Sequence, residues 1–393
     1  MPANDTPPAQ GLIPVDNSEA CIDQLASGES SVASRELPSR QFMARVLTLT
    51  AYGDDYTTCF NAALKRRGIE VEPAQWSGRW LHRHTRRRDI IGIHWPSFLY
   101  YHPESRRKTW LDLLRFVLFL GLLRARGVRI VWTAHNLYPH EGGRATLAHR
   151  VARRFVVAVA SHVCVHGQGA AERVMREFGV KQADLVFLEH GHWIDFYPNV
   201  IGRAAARERL KIAPRAYMFL FIGACRPYKN LEYLVRSHAA MQDDSLLWIV
   251  GRFQSAAYRQ RIVQAQAEAG GGTTVVDGFV PPEDVQVYLN ACDAVVLPYK
   301  EILTSGAVML AISFGRPVVA PRMGTLEEVI CEECGILYDP QASAGLTDAL
   351  RAARRRAFDP TKILARAASF SWDRSAQAFT EAVLDRGRSA PPG

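Results

Sequence analysis

The chain reads as an α/β protein built from two doubly wound, Rossmann-like domains facing each other across a cleft, and three observations predict it. From Ala44 onward, short β-branched or aliphatic runs alternate with longer helical patterns. The short runs are apolar almost throughout, as strands covered on both faces must be. The series then starts afresh after a Pro- and Arg-containing stretch at 198–214. With 393 residues, 48% of them hydrophobic and 22% charged, there is material for two cores. That balance excludes a disordered chain, a fibrous repeat and a disulfide-stapled miniprotein.

Residues 1–40 carry Pro, Ser, Asp and Glu and read as a flexible leader, without the basic start and apolar core of an export signal. In the first domain, 41–205, Arg45–Thr50 reads as a strand and Thr57–Arg67 as a helix. Ile90–His94 is a second strand, followed by a helix from about Ser105 to Arg126. Val128–Thr133 and Ser161–His166 continue the strands, the latter leading into a helix over Ala170–Glu177. In the second domain, 206–370, the strands are Tyr217–Ile222, Leu246–Val250, Thr274–Val276, Ala294–Leu297 and Pro317–Ala320, with a helix over Leu231–Met241. Residues 371–393 hold an amphipathic helix running to about Asp385, which either caps the second domain or crosses back onto the first. Sheets of this kind bind ligands at the carboxyl ends of their strands, so the expected site is the cleft between them.

Lys+Arg 48 against Asp+Glu 39 leaves a net charge of +9, which favours acidic partners. Basic residues collect at 82–88, 106–108, 124–129 and 144–154, around the apolar stretch Trp110–Leu123. That stretch is short of the ~20 residues a spanning helix needs. It reads either as a buried helix with solvated flanks or as a face resting on anionic lipid. No basic motif interleaved with aromatics points to nucleic acid. Seven cysteines, odd in number and scattered, fit a reducing compartment, and Cys331-Glu-Glu-Cys334 reads as two loop thiols. Gly167-Gln-Gly169 lacks the third glycine of a dinucleotide fingerprint and follows the wrong strand.

Two loops carry the candidate chemistry. In Phe221-Ile-Gly-Ala-Cys-Arg-Pro-Tyr-Lys-Asn230 a buried strand ends at Gly223, and a loop holding Arg226 and Lys229 opens a helix. Glycine lets backbone approach a ligand, and two cations beside a helix start suit a diphosphate. About 75 residues later the strand ending at Pro298 leads through a polar loop to Thr304-Ser305-Gly306, where an apolar helix begins. Ser305 is a natural cap, and the free amides at Ser305, Gly306 and Ala307 are suited to a phosphate oxygen.

These elements, in this order, resemble the nucleotide-sugar half of the GT-B glycosyltransferases of bacterial polysaccharide and lipopolysaccharide synthesis (the family-4-like group). Ile249-Val-Gly-Arg252, Val276-Asp-Gly-Phe279, Ala291–Pro298 and Leu326-Glu-Glu-Val-Ile330 before Gly335-Ile-Leu337 extend the likeness. Thr133-Ala-His135 and His190-Gly191 do so in the first domain. The resemblance spans roughly 44–385. It implies that His135 faces the donor sugar, that Lys229 with Arg226 holds the donor diphosphate, and that Glu328 lies at the nucleotide ribose. Gly223 and Thr304 are assigned to the donor sugar and nucleotide. Retaining members place a carboxylate pair at the positions of Ile302 and Leu310, and neither residue here is acidic.

Pro-Tyr-Lys-x4-Ser-Gly306, Ile-His-Trp-Pro96 and His-Asn-Leu-x-Pro-His-Glu141 are closer to the xanthan-type β-mannosyltransferases. That narrower resemblance implies inverting transfer of mannose from GDP-mannose to a lipid-linked oligosaccharide. Inversion needs a base for the acceptor hydroxyl, for which Glu141 and His135 are the candidates and His140 a weaker one. Arg226, Lys229 and the Ser305 and Gly306 amides would stabilise the departing diphosphate. No Asp-x-Asp occurs in the chain, so no metal and no cofactor is expected. The expected partners are a nucleotide sugar, a lipid-linked saccharide and an anionic membrane, without nucleic acid; the expected place is the cytoplasm, at the inner face of the plasma membrane. A nucleotide-sugar epimerase on the same fold and a non-catalytic scaffold of a polysaccharide assembly complex are the alternatives.

Overall fold

A computed structural model describes residues 44–50, 54–139, 146–270 and 272–384. The first lobe runs β1 (Arg45–Leu49), α1 (Asp55–Arg66), β2 (Glu70–Pro73), α2 (Gly78–His84), β3 (Ile90–Ile93), α3 (Arg106–Ala125), β4 (Arg129–Thr133), α4 (Leu147–Val159), β5 (His162–Val165), α5 (Gln168–Phe178) and β6 (Leu185–Phe187). The second continues with α6 (Arg203–Arg209), β7 (Met218–Ile222), α7 (Leu231–Ala239), β8 (Leu246–Val250), α8 (Ala256–Glu268), β9 (Thr273–Val276), α9 (Pro282–Ala291), β10 (Ala294–Val296), α10 (Gly306–Ser313), β11 (Val318–Pro321), α11 (Leu326–Val329) and β12 (Gly335–Tyr338). Helices α12 (Gly345–Arg355), α13 (Pro360–Ala368) and α14 (Trp372–Leu384) close the chain.

Each lobe is a six-stranded sheet, ordered β2-β1-β3-β4-β5-β6 in the first and β12-β11-β10-β7-β8-β9 in the second. Every strand pairing is parallel, for instance Val46 with Ile90 and Leu220 with Trp248. Helices cover both faces, and β3, β7 and β11 are buried at every position. In the second sheet the order reverses between β7 and β10, so the loops after these two strands flank the switch-point crevice where such sheets bind ligands. In the first sheet the reversal lies between β1 and β3.

Several elements depart from, or go beyond, the sequence reading. Strands β2, β6 and β12, absent from it, are edge strands. Glu70-Val-Glu-Pro73 carries charge at alternate positions, and Leu185–Phe187 is only three residues long. Helix α3 is not a buried helix with solvated flanks. Thr109, Leu113, Phe116, Leu120 and Leu123 face the core at helical spacing, while Trp110, Leu111, Leu114, Leu118 and Leu122 are 41–60% exposed on the opposite side. Helix α14 crosses back to the first lobe: the Phe379 ring meets Phe60 of α1 edge-on at 5.7 Å, and Trp372 meets Tyr56 at 5.0 Å.

Buried Arg207 fastens the segment entering the second lobe. Its guanidinium donates to the carbonyls of Ala291, Ala213, Pro214 and Ala216 and pairs with Asp293 at 2.7 Å. No described helix is long and apolar enough to cross a membrane.

Candidate active site

The second-lobe wall begins where β7 ends. After Gly223, a 3-10 turn at Pro227–Lys229 precedes Asn230, whose left-handed backbone (φ 59°) launches α7. Lys229 turns inward and is buried, its ammonium 5.3 Å from the Phe221 ring centre and beside Gly223, where a Cβ would lie 3.3 Å from it. It forms no ion pair with a described residue. Burial pushes its pKa down to about 8, opposed by Cys225, with the nearby Arg226 cation lowering it further. The half-buried Arg226 therefore shares the loop's charge with Lys229.

The loop after β10 packs onto this one. The Lys300 amide donates to the Tyr228 carbonyl, the Tyr228 and Tyr299 rings stack at 6.2 Å, and the Tyr299 hydroxyl lies 2.9 Å from Ser305 Oγ. Ser305 caps α10, its Oγ accepting the Val308 amide at 3.3 Å. Lys229 and Ser305 thus belong to one packed assembly, joined through the two tyrosines. Gly306, the first residue of α10, faces the opposite lobe: a Cβ there would lie 3.4 Å from His190 Nε2.

The first-lobe wall is a cluster of aromatic rings at the carboxyl ends of the strands. His135, two residues beyond β4, stacks on Trp95 at 4.2 Å and places Nε2 3.0 Å from His94 Nδ1. His166 follows β5 and His190 lies beyond β6; Tyr56 of α1 stands at the centre, 4.5 Å from His135, 5.2 Å from His166 and 5.3 Å from His190. Burial pushes His94 and His166 down to about 3 and His190 to about 4, so these rings are neutral at physiological pH. Burial also lowers His135 well below the ordinary imidazole value, and its three histidine neighbours lower it further. Fully buried Arg153 donates to the Leu137 carbonyl and the Asn136 side chain, anchoring the stretch just after His135. His140 and Glu141 lie outside the described residues.

Between the walls lies a cavity of about 290 Å³. His166, Gly167, Glu189 and His190 line it from one side, and Thr304, Ser305, Val308, Thr325 and Glu328 from the other. Thr304, Ser305 and Glu328 are therefore brought together, whereas Gly223, Arg226 and Lys229 are not among its lining residues. Glu328 does not stand free in it: its carboxylate accepts the amides of Gln168 and Gly169 at 2.9 and 2.7 Å. Cys331 and Cys334 lie elsewhere, their sulfurs 3.2 Å apart as free thiols. Among the described residues no group of three or more His, Cys, Asp or Glu is placed to hold a metal ion.

Sequence reasoning named His135 but assigned no role to Tyr56, His94 or His166, and listed His190 only as part of a motif. One signal pointed to His94 and His166: each, like His135 beyond Thr133-Ala, follows an apolar strand, in Ile-Gly-Ile-His94 and Val-Cys-Val-His166.

The sequence pattern of the family described as "Glycosyl transferases group 1" matches residues 216–355. The chain is 30% identical over 284 residues to GDP-mannose:glycolipid 4-beta-D-mannosyltransferase of Xanthomonas campestris pv. campestris, an alignment covering 68% of this chain and 73% of that one. It is 25% identical over 275 residues to the D-inositol 3-phosphate glycosyltransferase of Geodermatophilus obscurus, covering 65% and 61%. In fold it is similar to Anabaena HepE in complex with UDP (TM-score 0.63, 16% identity, 87% of this chain and 99% of that one). It is also similar to sucrose-phosphate synthase of Thermosynechococcus elongatus (TM-score 0.59, 19% identity, 88% and 98%).

Proposed function

The chain belongs to the group 1 glycosyltransferases, nucleotide-sugar-dependent enzymes of the GT-B fold, and on that premise we propose that it transfers mannose from GDP-mannose to a lipid-linked oligosaccharide in exopolysaccharide or lipopolysaccharide assembly. The observation that carries this reading is the 30% identity, over 284 residues, with a Xanthomonas relative named for that donor and a glycolipid acceptor.

In the proposed reaction the diphosphate lies across Lys229, Arg226 and the amino-terminal end of α10 at Ser305 and Gly306, with Thr304 and Gly223 beside it and the ribose at Glu328. Four features support this arrangement: the switch-point position of both loops, the buried ammonium of Lys229 with no ion pair to a described residue, the tyrosine link to Ser305 and the cavity beyond it. An acceptor hydroxyl attacks the anomeric carbon as the bond to the diphosphate oxygen breaks. GDP leaves with that electron pair, and a base, Glu141 or His135, takes the hydroxyl proton. Side-chain cations and backbone amides, rather than a divalent metal, meet the charge on the leaving group.

The acceptor is lipid-linked, and the outer face of α3 is the proposed membrane contact on the cytoplasmic side. Its exposed Trp110, Leu111, Leu114, Leu118 and Leu122 lie among Arg106, Arg107, Lys108, Arg115 and Arg124, the apolar-plus-basic combination that settles on anionic lipid.

Radiolabelled GDP-mannose, supplied with membranes carrying polyprenyl-diphosphate-linked saccharide, tests the reading. Label passing into the lipid fraction is expected, with GDP release dependent on acceptor. Transfer from a UDP- or dTDP-sugar instead would overturn the mannose assignment. Turnover without acceptor would favour an epimerase, and donor binding without any transfer would favour a scaffold.

A further inference from the structure

Two histidines of the ring cluster have no role in the reaction as described, yet their chemistry is defined by their backbone partners. His166 Nδ1 lies 3.1 Å from the Leu188 carbonyl and His190 Nδ1 3.0 Å from the Gly191 carbonyl. A carbonyl oxygen only accepts, so in each neutral ring Nδ1 carries the proton and Nε2 is left as a lone pair. Among the described residues His166 Nε2 is buried without a hydrogen-bond partner, and so is the hydroxyl of Tyr56, whose ring stands edge-on to both imidazoles. Paired buried polar atoms are the rule in folded proteins, and two orphans on neighbouring rings, one of them the cavity-lining His166, mark a place that a ligand completes.

The surroundings say which ligand group. Both imidazoles border the cavity shared with Thr304 and Ser305, and His190 Nε2 faces Gly306 across space that a single Cβ would fill to 3.4 Å. That space adjoins the start of α10, where the diphosphate of the proposed donor lies. A bare nitrogen lone pair repels a phosphate oxygen but accepts a hydroxyl proton. A nucleotide sugar carries hydroxyls on both sides of its diphosphate, on the ribose and on the hexose; with the ribose placed at Glu328 on the far wall of the cavity, the hexose is the part left to meet these lone pairs.

We propose that His166 and His190 are donor-sugar contacts, their Nε2 lone pairs accepting hydrogen bonds from hydroxyl groups of the hexose. This rests on the reading of the cavity as the nucleotide-sugar site and adds which side chains read the sugar rather than the nucleotide. It makes the two rings specificity-determining residues for the transferred sugar.

The experiment is calorimetric titration of the full chain with GDP and with GDP-mannose, read as the ratio of the two affinities. His190→Leu and His166→Leu are each expected to lower the preference for GDP-mannose over GDP about five- to tenfold, the worth of one hydrogen bond, with GDP affinity held. His190→Gln, which restores an acceptor oxygen, is expected to recover most of the preference. An unchanged ratio in both leucine variants overturns the proposal. In the wild-type protein, histidine ¹⁵N spectra provide a check independent of folding in the variants. Two Nε2 resonances are expected to move on adding GDP-mannose and stay in place with GDP, and resonances that ignore the sugar overturn the proposal equally. Failure of the donor assignment looks different. The wild type then ignores GDP-mannose while binding another sugar from a UDP/dTDP panel, and the same ratio is read on that nucleotide and its sugar.

Discussion

The carboxylate of Glu328 lies 2.7 Å from the backbone amide of Gly169, across the cavity that separates the two sheets. With the Gln168 amide at 2.9 Å it caps the amino-terminal end of α5, satisfying donors that α5 itself cannot. Arg366 of α13 donates to the carbonyls of Glu328 and Val329, and Arg173 of α5 donates to the Ile302 carbonyl at 2.8 Å, so this corner is braced from both lobes. A ribose bound at Glu328 would compete with α5 for the same carboxylate, which ties donor entry to the spacing of the lobes.

The fit at this corner admits no side chain on Gly169, where a Cβ would come within 2.7 Å of the Gly324 carbonyl oxygen. Gly169→Val is expected to force the lobes apart and to cost about 1–3 kcal/mol, the usual range for overpacking. Small-angle scattering should show a larger radius of gyration and thermal unfolding a lower midpoint. A variant with both values unchanged would show the approach to be slack.

Lys229 carries a stability penalty while no anion is bound. Its pKa of about 8 lies below the ordinary 10.5, so between these values the unfolded chain holds a proton that the folded chain lacks, and stability rises with pH through that window. Lys229→Met should flatten the rise, leave the donor-free protein at least as stable near pH 7, and weaken nucleotide-sugar binding at least tenfold. In the wild type, donor affinity should fall as pH climbs past about 8 and the ammonium is lost. Denaturant melts and titrations at several pH values measure all four.

The histidine cluster works in the opposite pH range. Rings held at about 3 to 4 in the fold titrate near 6.5 when exposed, so protons bind the unfolded chain first and stability falls as pH drops from about 6.5 toward 4. The melting temperature should decline steeply across this interval, and His94→Gln should make the decline shallower. A flat profile would mean that the rings are not shielded from water.

On α3, Leu114→Glu and Leu118→Glu should weaken sedimentation with phosphatidylglycerol vesicles. Each exposed leucine that enters lipid contributes on the order of 1 kcal/mol, part of the gain from full burial. Melting temperature and GDP affinity should stay as in the wild type, because neither side chain touches the core or the cavity. Equal vesicle binding by the variants would remove this face as the membrane contact.

Much of the fold was legible before any coordinates. Phe221 and its neighbours in β7, and Val295 in β10, announce strands buried on both faces, because a continuous apolar run has no solvent side to serve. The loops after these strands were legible for the same reason: a polar, glycine-bearing segment that follows a buried strand stands at the sheet's carboxyl edge. Edge strands β2 and β6 were not, since Glu70-Val-Glu-Pro73 and three residues ending in exposed Phe187 carry too little periodicity to be told from loop.

What the sequence determined by itself was local: which segments form the interior strands, about where each ends, and that Lys229, Arg226 and Ser305 fall in the loops that follow two of them. Tertiary structure alone decided what meets what. It gathered His94, His135, His166 and His190 from four successive strands round Tyr56, turned the Glu328 carboxylate onto α5, and sent α14 back to Phe60. The physical reason is that parallel strands bring together residues far apart in the chain, such as Val46 with Ile90 and Ala294 with Phe219, and local periodicity carries no trace of such pairings until the sheet order and the approach of the lobes exist.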